Sequence, residues 1–322
     1  MSGRGSLRTG ALAGALIAVL ALTGCAIVRP PGDAPLRYRD AVFTDVTVTQ
    51  NLQYGSATNV EGETENLLLD LYQPTGDTAT KRPVAIFVHG GSFCCGDKAS
   101  GPSPDLARKF ARLGYVTASI NYRLSAPSGC TGSGFGGECA AAVFDAQHDA
   151  QAAVRWFRAN AETYGIDTNR IAIGGESAGG ITATLVGLRA NDGGESGNPG
   201  FSSEVQAFQS LSGGIIGGFF VDERDTRAGI FFHGTADRTV PYSWSADTVK
   251  ALRGVGKYPF MERYEGAGHV PYTQFGQQIF EHTSYYWYWA LDLAHADGQT
   301  AAAARAAERL SARMPALAGA AR

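Results

Sequence analysis

A chain of 322 residues, 44% hydrophobic and 18% charged, carries enough apolar mass for one large core, and no break in composition argues for a second globular domain. The formal charge is −3 with no basic stripe, which excludes nucleic acid as an expected partner. No fixed-period repeat is present, so solenoids and propellers are excluded as well.

Arg4 and Arg8 precede an apolar stretch, Ala11 to Leu22, that is short for a membrane span. It runs into Leu22-Thr23-Gly24-Cys25, which resembles a bacterial lipobox. The expectation is a lipoprotein signal peptide over 1–24, cleaved before a lipidated Cys25. That lipid would anchor the chain on the outer face of the bacterial cytoplasmic membrane, at the cell surface or in the periplasm. The alternative is an ordinary signal peptide with an incidental cysteine, and a secreted product. Residues 25–40, with Pro30, Pro31 and Pro35, read as the lipidated cysteine and an extended tether. Export places Cys94, Cys95, Cys130 and Cys139 in an oxidising compartment, where an even count suggests disulfides in one of three pairings. Zinc is the rival, but adjacent cysteines lack the usual two-to-four-residue ligand spacing. No metal is expected.

Within 41–295 the chain alternates strands and helices. Alternating Val46 and Val48 suit an opening strand over 42–50, and residues 67–72 suit a second, closed by Pro74 and Gly76. Val84 to Val88 is a continuous apolar run, as expected of a strand covered on both faces. Residues 104–113 pattern as a helix and 115–120 as a strand, followed by Asn121-Tyr122-Arg123-Leu124 and a Gly/Ser-rich loop over 125–137. A long helix is predicted over 140–163. The Ile171 strand then meets Gly175-Glu176-Ser177-Ala178-Gly179, and an apolar helix follows from Ile181. Strands over 205–211, 229–232 and 258–264 and helices over 243–253 and 272–293 complete the pattern. The Tyr285–Trp289 cluster reads as a helix face packing on the sheet rather than a binding face. Residues 296–322 form an Ala-rich tail, helix-prone but poor in large apolar groups. This spacing implies an α/β fold with a mostly parallel sheet covered on both faces.

Gly175-x-Ser177-x-Gly179 is the nucleophile-elbow pattern: serine on a sharp strand-to-helix turn, with glycines where strand and helix approach. A serine hydroxyl needs a base, and the base a third group to hold it. The order nucleophile, acid, histidine is met by Ser177, Asp237 beyond the 229–232 strand, and His269 in Gly266-Ala267-Gly268-His269. His233 stands before the acid, in the wrong order for the base. His282 and His295 fall in or near helices, and the aspartates flanking His148 read as serving a helix N-terminus. Asp222 and Asp225 precede the strand and are weaker choices for the acid. Amides of Gly91 and Ser92, in His89-Gly90-Gly91-Ser92, with that of Ala178, are the expected oxyanion donors. His89 reads as a strut for this loop.

Together these motifs resemble the carboxylesterase and hormone-sensitive-lipase-like branch of the α/β-hydrolases. Asn121 to Leu124, Asp149 to Trp156 and His233 to Pro241 are similar to small bacterial feruloyl- or acetylxylan-esterase-like proteins. The resemblance spans roughly residues 40 to 290 and implies a serine ester hydrolase working through an acyl-enzyme. The implied substrates are short-chain or aromatic esters, as small molecules or linked to polysaccharide, with no cofactor. A serine peptidase of this fold, or a catalytically silent binding protein, is the alternative. Ser92 departs from the family's third glycine, and only Gly214 to Ala228 separates two strands where many relatives insert a lid. In this fold the loops after the third and fourth strands are neighbours, so a bridge from Cys94 or Cys95 to Cys130 or Cys139 is expected, with local pairing as its rival.

Overall fold

The computed structural model describes residues 27–130, 137–190, 192–222, 227 and 229–296. Among them, eight strands form one sheet: β1 (Val46–Thr58), β2 (Thr64–Pro74), β3 (Arg82–Val88), β4 (Val116–Ile120), β5 (Ile166–Glu176), β6 (Ala207–Leu211), β7 (Gly229–Gly234) and β8 (Phe260–Tyr264). Their order is β1-β2-β4-β3-β5-β6-β7-β8. The β1–β2 and β2–β4 pairs are antiparallel, and every pair from β4–β3 to β7–β8 is parallel. Between the strands run α1 (Pro102–Leu113), α2 (Glu138–Ala159), α3 (Ala161–Tyr164), α4 (Ala178–Leu188) and α5 (Tyr242–Gly254), with α6 (Tyr272–Ala290) after β8. This is the expected α/β-hydrolase arrangement.

The reason β3 reads as an unbroken apolar run is visible in its two faces. Val84, Ile86 and Val88 join a core with Trp156 and Phe157 of α2, Leu185 and Val186 of α4, and Leu252 of α5. Ala85 and Phe87 face the other way, into a core with Phe110 of α1 and Trp287 of α6. The Phe87 ring lies 5.5 Å from Phe110 and 5.8 Å from Trp287. Burying such a side chain contributes about 1.5–3 kcal/mol. Trp287 and its neighbours Tyr286 and Tyr288 are buried, so this cluster is packing, as read from sequence.

Several boundaries moved for local reasons. The helix expected over 140–163 is two helices, parted at Asn160, whose φ of −107° and ψ of 21° leave the helical region and whose Nδ2 donates to Trp156 O at 2.8 Å. Such a side chain competes with the helical ladder. Asp149 does not serve a helix N-terminus. It lies in mid-α2, fully buried, and accepts from the Arg123 backbone amide at 2.8 Å and from its guanidinium at 2.9 Å. The tether also departs from expectation, because residues 27–40 are docked on the domain. Arg37 donates to Asp77 at 3.1 Å and to Gly114 O at 3.2 Å, and the Tyr38 amide donates to Leu113 O at 2.7 Å. Within the segment Arg39 donates to Pro30 O and Gly32 O and Arg29 pairs with Asp40, so the proline-rich stretch is folded on itself as well as strapped to the domain. Residues 1–26, with Cys25, and 297–322 lie outside the described residues.

Candidate active site

The parallel strands end together on one edge, and the central strand β5 delivers Ser177 there. Its φ of 54° and ψ of −121° are sparsely populated for a residue with a side chain, as expected of an elbow that lifts a hydroxyl above the sheet. The glycines are steric necessities. A Cβ on Gly179 would stand 2.0 Å from Val88 O, and one on Gly175 would stand 2.4 Å from Gly179 O. The Ser177 amide donates to Leu211 O at 2.8 Å, tying the elbow to β6.

From the loops after β7 and β8 come the two other expected residues. Ser177 Oγ donates to His269 Nε2 at 2.8 Å, and His269 Nδ1 donates to Asp237 Oδ2 at 2.7 Å. Asp237 Oδ1 accepts from the amides of Thr239 and Val240 at 2.9 and 3.0 Å. Burial works against charge on this carboxylate, but hydrogen bonds from His233 and His269 outweigh it and hold Asp237 well below the usual carboxylate range. A hydroxyl facing a neutral imidazole, itself backed by a carboxylate, is arranged to lose its proton as it attacks an electrophile.

The loop after β3 covers the serine from the other side. A Cβ on Gly90 would stand 3.1 Å from Ser177 Cβ, so this backbone lies against the hydroxyl-bearing side chain. Gly91, Ser92 and Phe93 all have positive φ, an uncommon run for a serine and a phenylalanine. Ala178 opens α4, where first-turn amides lack intrahelical partners. His89 is buried, stacks on Tyr122 at 4.6 Å and places Nδ1 2.6 Å from Gly90 O, with burial pushing its titration down. It is a strut, as expected.

The cross-loop disulfide is corrected. Cys94 pairs with Cys95, and Cys130 with Cys139, the local alternative. The Cα atoms of Cys130 and Cys139 are 5.6 Å apart, a bridging distance, because the loop returns Cys139 at the start of α2. The two loops are joined instead by backbone: Cys130 N donates to Ser92 O at 2.8 Å and Ala126 N to Phe93 O at 3.0 Å.

The remaining candidates disperse. His148 lies 3.6 Å from Asp192, His282 faces Glu262 at 3.2 Å, and His295 pairs with Asp292. Asp225 lies outside the described residues, and the carboxylate on His269 is that of Asp237, not Asp222. Among the described residues the β6–β7 connection holds one 3₁₀ turn, Ile216–Gly218, followed by exposed Phe219 and Phe220. Sequence reading passed over Glu176. Its carboxyl accepts from Gly90 N at 3.2 Å and Ser103 Oγ at 3.0 Å, and burial pushes it up to about 8 against those bonds. Its one signal was a charged residue inside a small-residue turn. Ser212 was missed as well: it has positive φ, as does Val270, and its Oγ accepts from Val270 N at 3.0 Å beside His269.

A family model described as BD-FAE matches residues 69–213. Esterase LipC of Mycobacterium tuberculosis is 31% identical over 51% of this chain and 37% of its own length. The isoprenylcysteine alpha-carbonyl methylesterase ICME of Arabidopsis thaliana is 26% identical over 78% of this chain and 63% of its own. The chain thus spans from 21% to 63% of the length of such curated relatives. Among solved structures, the native esterase Est2 of Thermogutta terrifontis superposes with a TM-score of 0.60 at 22% identity, covering 79% of this chain and 95% of that one. A truncated carbohydrate esterase from gut microbiota gives 0.59 at 20% identity, covering 79% and 98%. Both share the fold.

Proposed function

We propose that this chain, an α/β-hydrolase of the carboxylesterase and hormone-sensitive-lipase-like branch, is a serine esterase with Ser177 as nucleophile, His269 as general base and acid, and Asp237 as the group that holds His269. The observation that carries this reading is the continuous line from Ser177 Oγ through His269 to Asp237, at 2.8 and 2.7 Å. Ser177 attacks the ester carbonyl as His269 Nε2 takes its proton. Amides of Gly91, Ser92 and Ala178 receive the oxyanion, each such donor contributing about 3 kcal/mol of transition-state stabilisation. His269 then protonates the leaving alcohol, and water repeats the sequence to release the acid. No step calls for a metal or cofactor.

Short-chain acyl esters and aromatic, feruloyl-type esters are the proposed substrates, small or attached to polysaccharide. The BD-FAE match and the esterase relatives support ester hydrolysis, and the carbohydrate esterase among the structural neighbours fits a polysaccharide-linked ester. A fluorophosphonate probe and a panel of p-nitrophenyl acyl esters, methyl ferulate and acetylated xylan test the reading together. Labelling at Ser177, with turnover lost in Ser177→Ala, is expected. A probe adduct on another serine, or substantial turnover by Ser177→Ala, would overturn it.

We also propose export and lipid anchoring through Cys25, on the leader's charge, its apolar stretch and the Leu22–Cys25 motif. Membrane fractionation with mass spectrometry of the mature N-terminus checks it, and an unacylated N-terminus on protein in the medium would refute it.

A further inference from the structure

His233 ends in a polar arrangement that acid–base transfer between Ser177 and His269 does not itself require. It sits near the C-terminal end of β7 and is fully buried. Its Nε2 faces two oxygens that only accept: Asp237 Oδ2 at 3.2 Å and Val240 O at 3.0 Å. That nitrogen therefore carries a proton. At the opposite side of the ring, Nδ1 lies 2.7 Å from Ser245 Oγ of α5, whose hydroxyl reaches Gly213 O at 2.8 Å. The ring is fixed at both nitrogens and meets Tyr242 edge-on at 5.7 Å.

The consequence falls on Asp237. Around this carboxylate stand the Thr239 and Val240 amides, which donate to Oδ1, His269, which donates to Oδ2, and His233 Nε2, 3.2 Å from Oδ2 with its hydrogen bond directed to Val240 O. The two imidazoles therefore face the same oxygen, the one to which His269 is bonded.

We propose that His233 is a positioning residue for ester hydrolysis, sharing its Nε2–H between Val240 O and Asp237 Oδ2 so that the carboxylate keeps its direction and a moderated basicity toward His269. The proposal rests on the serine-esterase reading. A hydrogen bond into a carboxylate withdraws charge from the oxygen that receives it. Without that donor, Asp237 stays in place on its two backbone amides but holds the His269 imidazolium more strongly. His269 then remains protonated, and inactive as a base, to higher pH. The other titratable groups around the pair are Tyr242 from α5, Arg263 in register with His233 on β8, and Tyr264 opposite Gly234. Exposed Arg238 follows Asp237, and Glu265 pairs with Arg263 at 3.3 Å. All of these stay unchanged in the variants below.

Two substitutions separate positioning from packing. The amide of His233→Asn ends near the place of Nδ1 and is too short to reach Asp237, whereas His233→Gln carries an N–H to about the place of Nε2. Full-length protein is assayed for kcat and KM across pH, with melting temperature and fluorophosphonate labelling measured on the same samples. For His233→Asn, kcat is expected to fall about tenfold to a hundredfold, the range of one hydrogen bond to a charged group. KM should change little and the acid limb of kcat/KM should move to higher pH. His233→Gln is expected to recover most of the rate and return the limb. Equal losses in both variants that follow melting temperature, with the limb at its wild-type place, would overturn the proposal. Should His233→Asn fail to fold, Ser245→Ala decides, because it releases the ring's other end. It should move the limb the same way by less, and an unmoved limb at wild-type stability would overturn the proposal. Labelling keeps the two readings apart. Wild-type protein labelled at Ser177 with an unmoved limb in the variants refutes only the role of His233, whereas wild-type protein not labelled at Ser177 refutes the reading beneath it.

Discussion

Ser177 and His269 meet at 2.8 Å, yet they reach that point by different means. The Ser177 side is held by sterics. β5 and α4 are buried along nearly their whole facing length, and the turn between them closes only because Gly175 and Gly179 have no side chain to collide with backbone oxygens. The His269 side is held by hydrogen bonds between side chains and loops. His269 is a quarter exposed and bonded to Asp237, which two amides hold, while Ser212 bonds the amide of the following Val270. A steric device fails all at once. A hydrogen-bonded one loses its members in steps.

The largest effects should come where the two sides join. Ser177→Ala and His269→Ala are each expected to lower kcat by about 10⁵–10⁶-fold with little change in melting temperature, since each acts as part of one unit. Steady-state kinetics beside circular dichroism checks this, and a loss of fold in Ser177→Ala would show that the elbow is less rigid than its packing implies. Asp237→Asn should cost about 10⁴-fold by presenting the imidazole in the wrong tautomer. If that loss were only a few-fold, the His269 side would not depend on its carboxylate.

A steric prediction follows. Gly179→Ala places a methyl 2.0 Å from Val88 O, so urea unfolding should show destabilisation of at least about 1–3 kcal/mol. Ser212→Ala, on the hydrogen-bonded side, should cost only about 1 kcal/mol. Similar stability losses in the two would erase the contrast. The smallest effect concerns Glu176, whose carboxyl is raised to about 8 by burial beneath the Gly90 amide. A carboxyl raised on folding holds its proton in the native chain. Its contribution is therefore full below the unfolded value near 4.5 and is lost as pH rises through about 8. The melting temperature of Glu176→Gln relative to wild type should thus improve between about pH 5 and pH 9. A constant difference would mean that Glu176 is already ionised in the folded chain.

Much of the fold was legible because each face of the sheet leaves a mark in the sequence. The apolar run of β3 registers two covering layers, and Trp287 registers a helix against one of them. The contacts that bent expectation were made by single polar side chains acting at a distance. Arg37 straps the expected tether to Asp77 and Gly114, Asn160 marks a break in a helix, and Asp149 left its expected helix terminus for Arg123. The cysteines went the same way. Neighbouring loops were foreseeable, but backbone hydrogen bonds already join Ser92 to Cys130, and the sulfurs pair within their own loops.

By itself the sequence determined the elbow, the order of Ser177, Asp237 and His269, and the sheet that carries them, because glycine spacing and apolar periodicity are local expressions of steric and hydrophobic constraint. Tertiary structure alone decided that His233 faces the same oxygen as His269, that Glu176 lies buried under the loop after β3, and that Ser212 clamps the turn after His269. The reason is physical. A hydrogen bond is set by the distance and direction between two groups, and here Ser212 and Val270 stand 58 residues apart and Gly90 and Glu176 86 residues apart along the chain, so nothing in either residue's neighbourhood announces its partner.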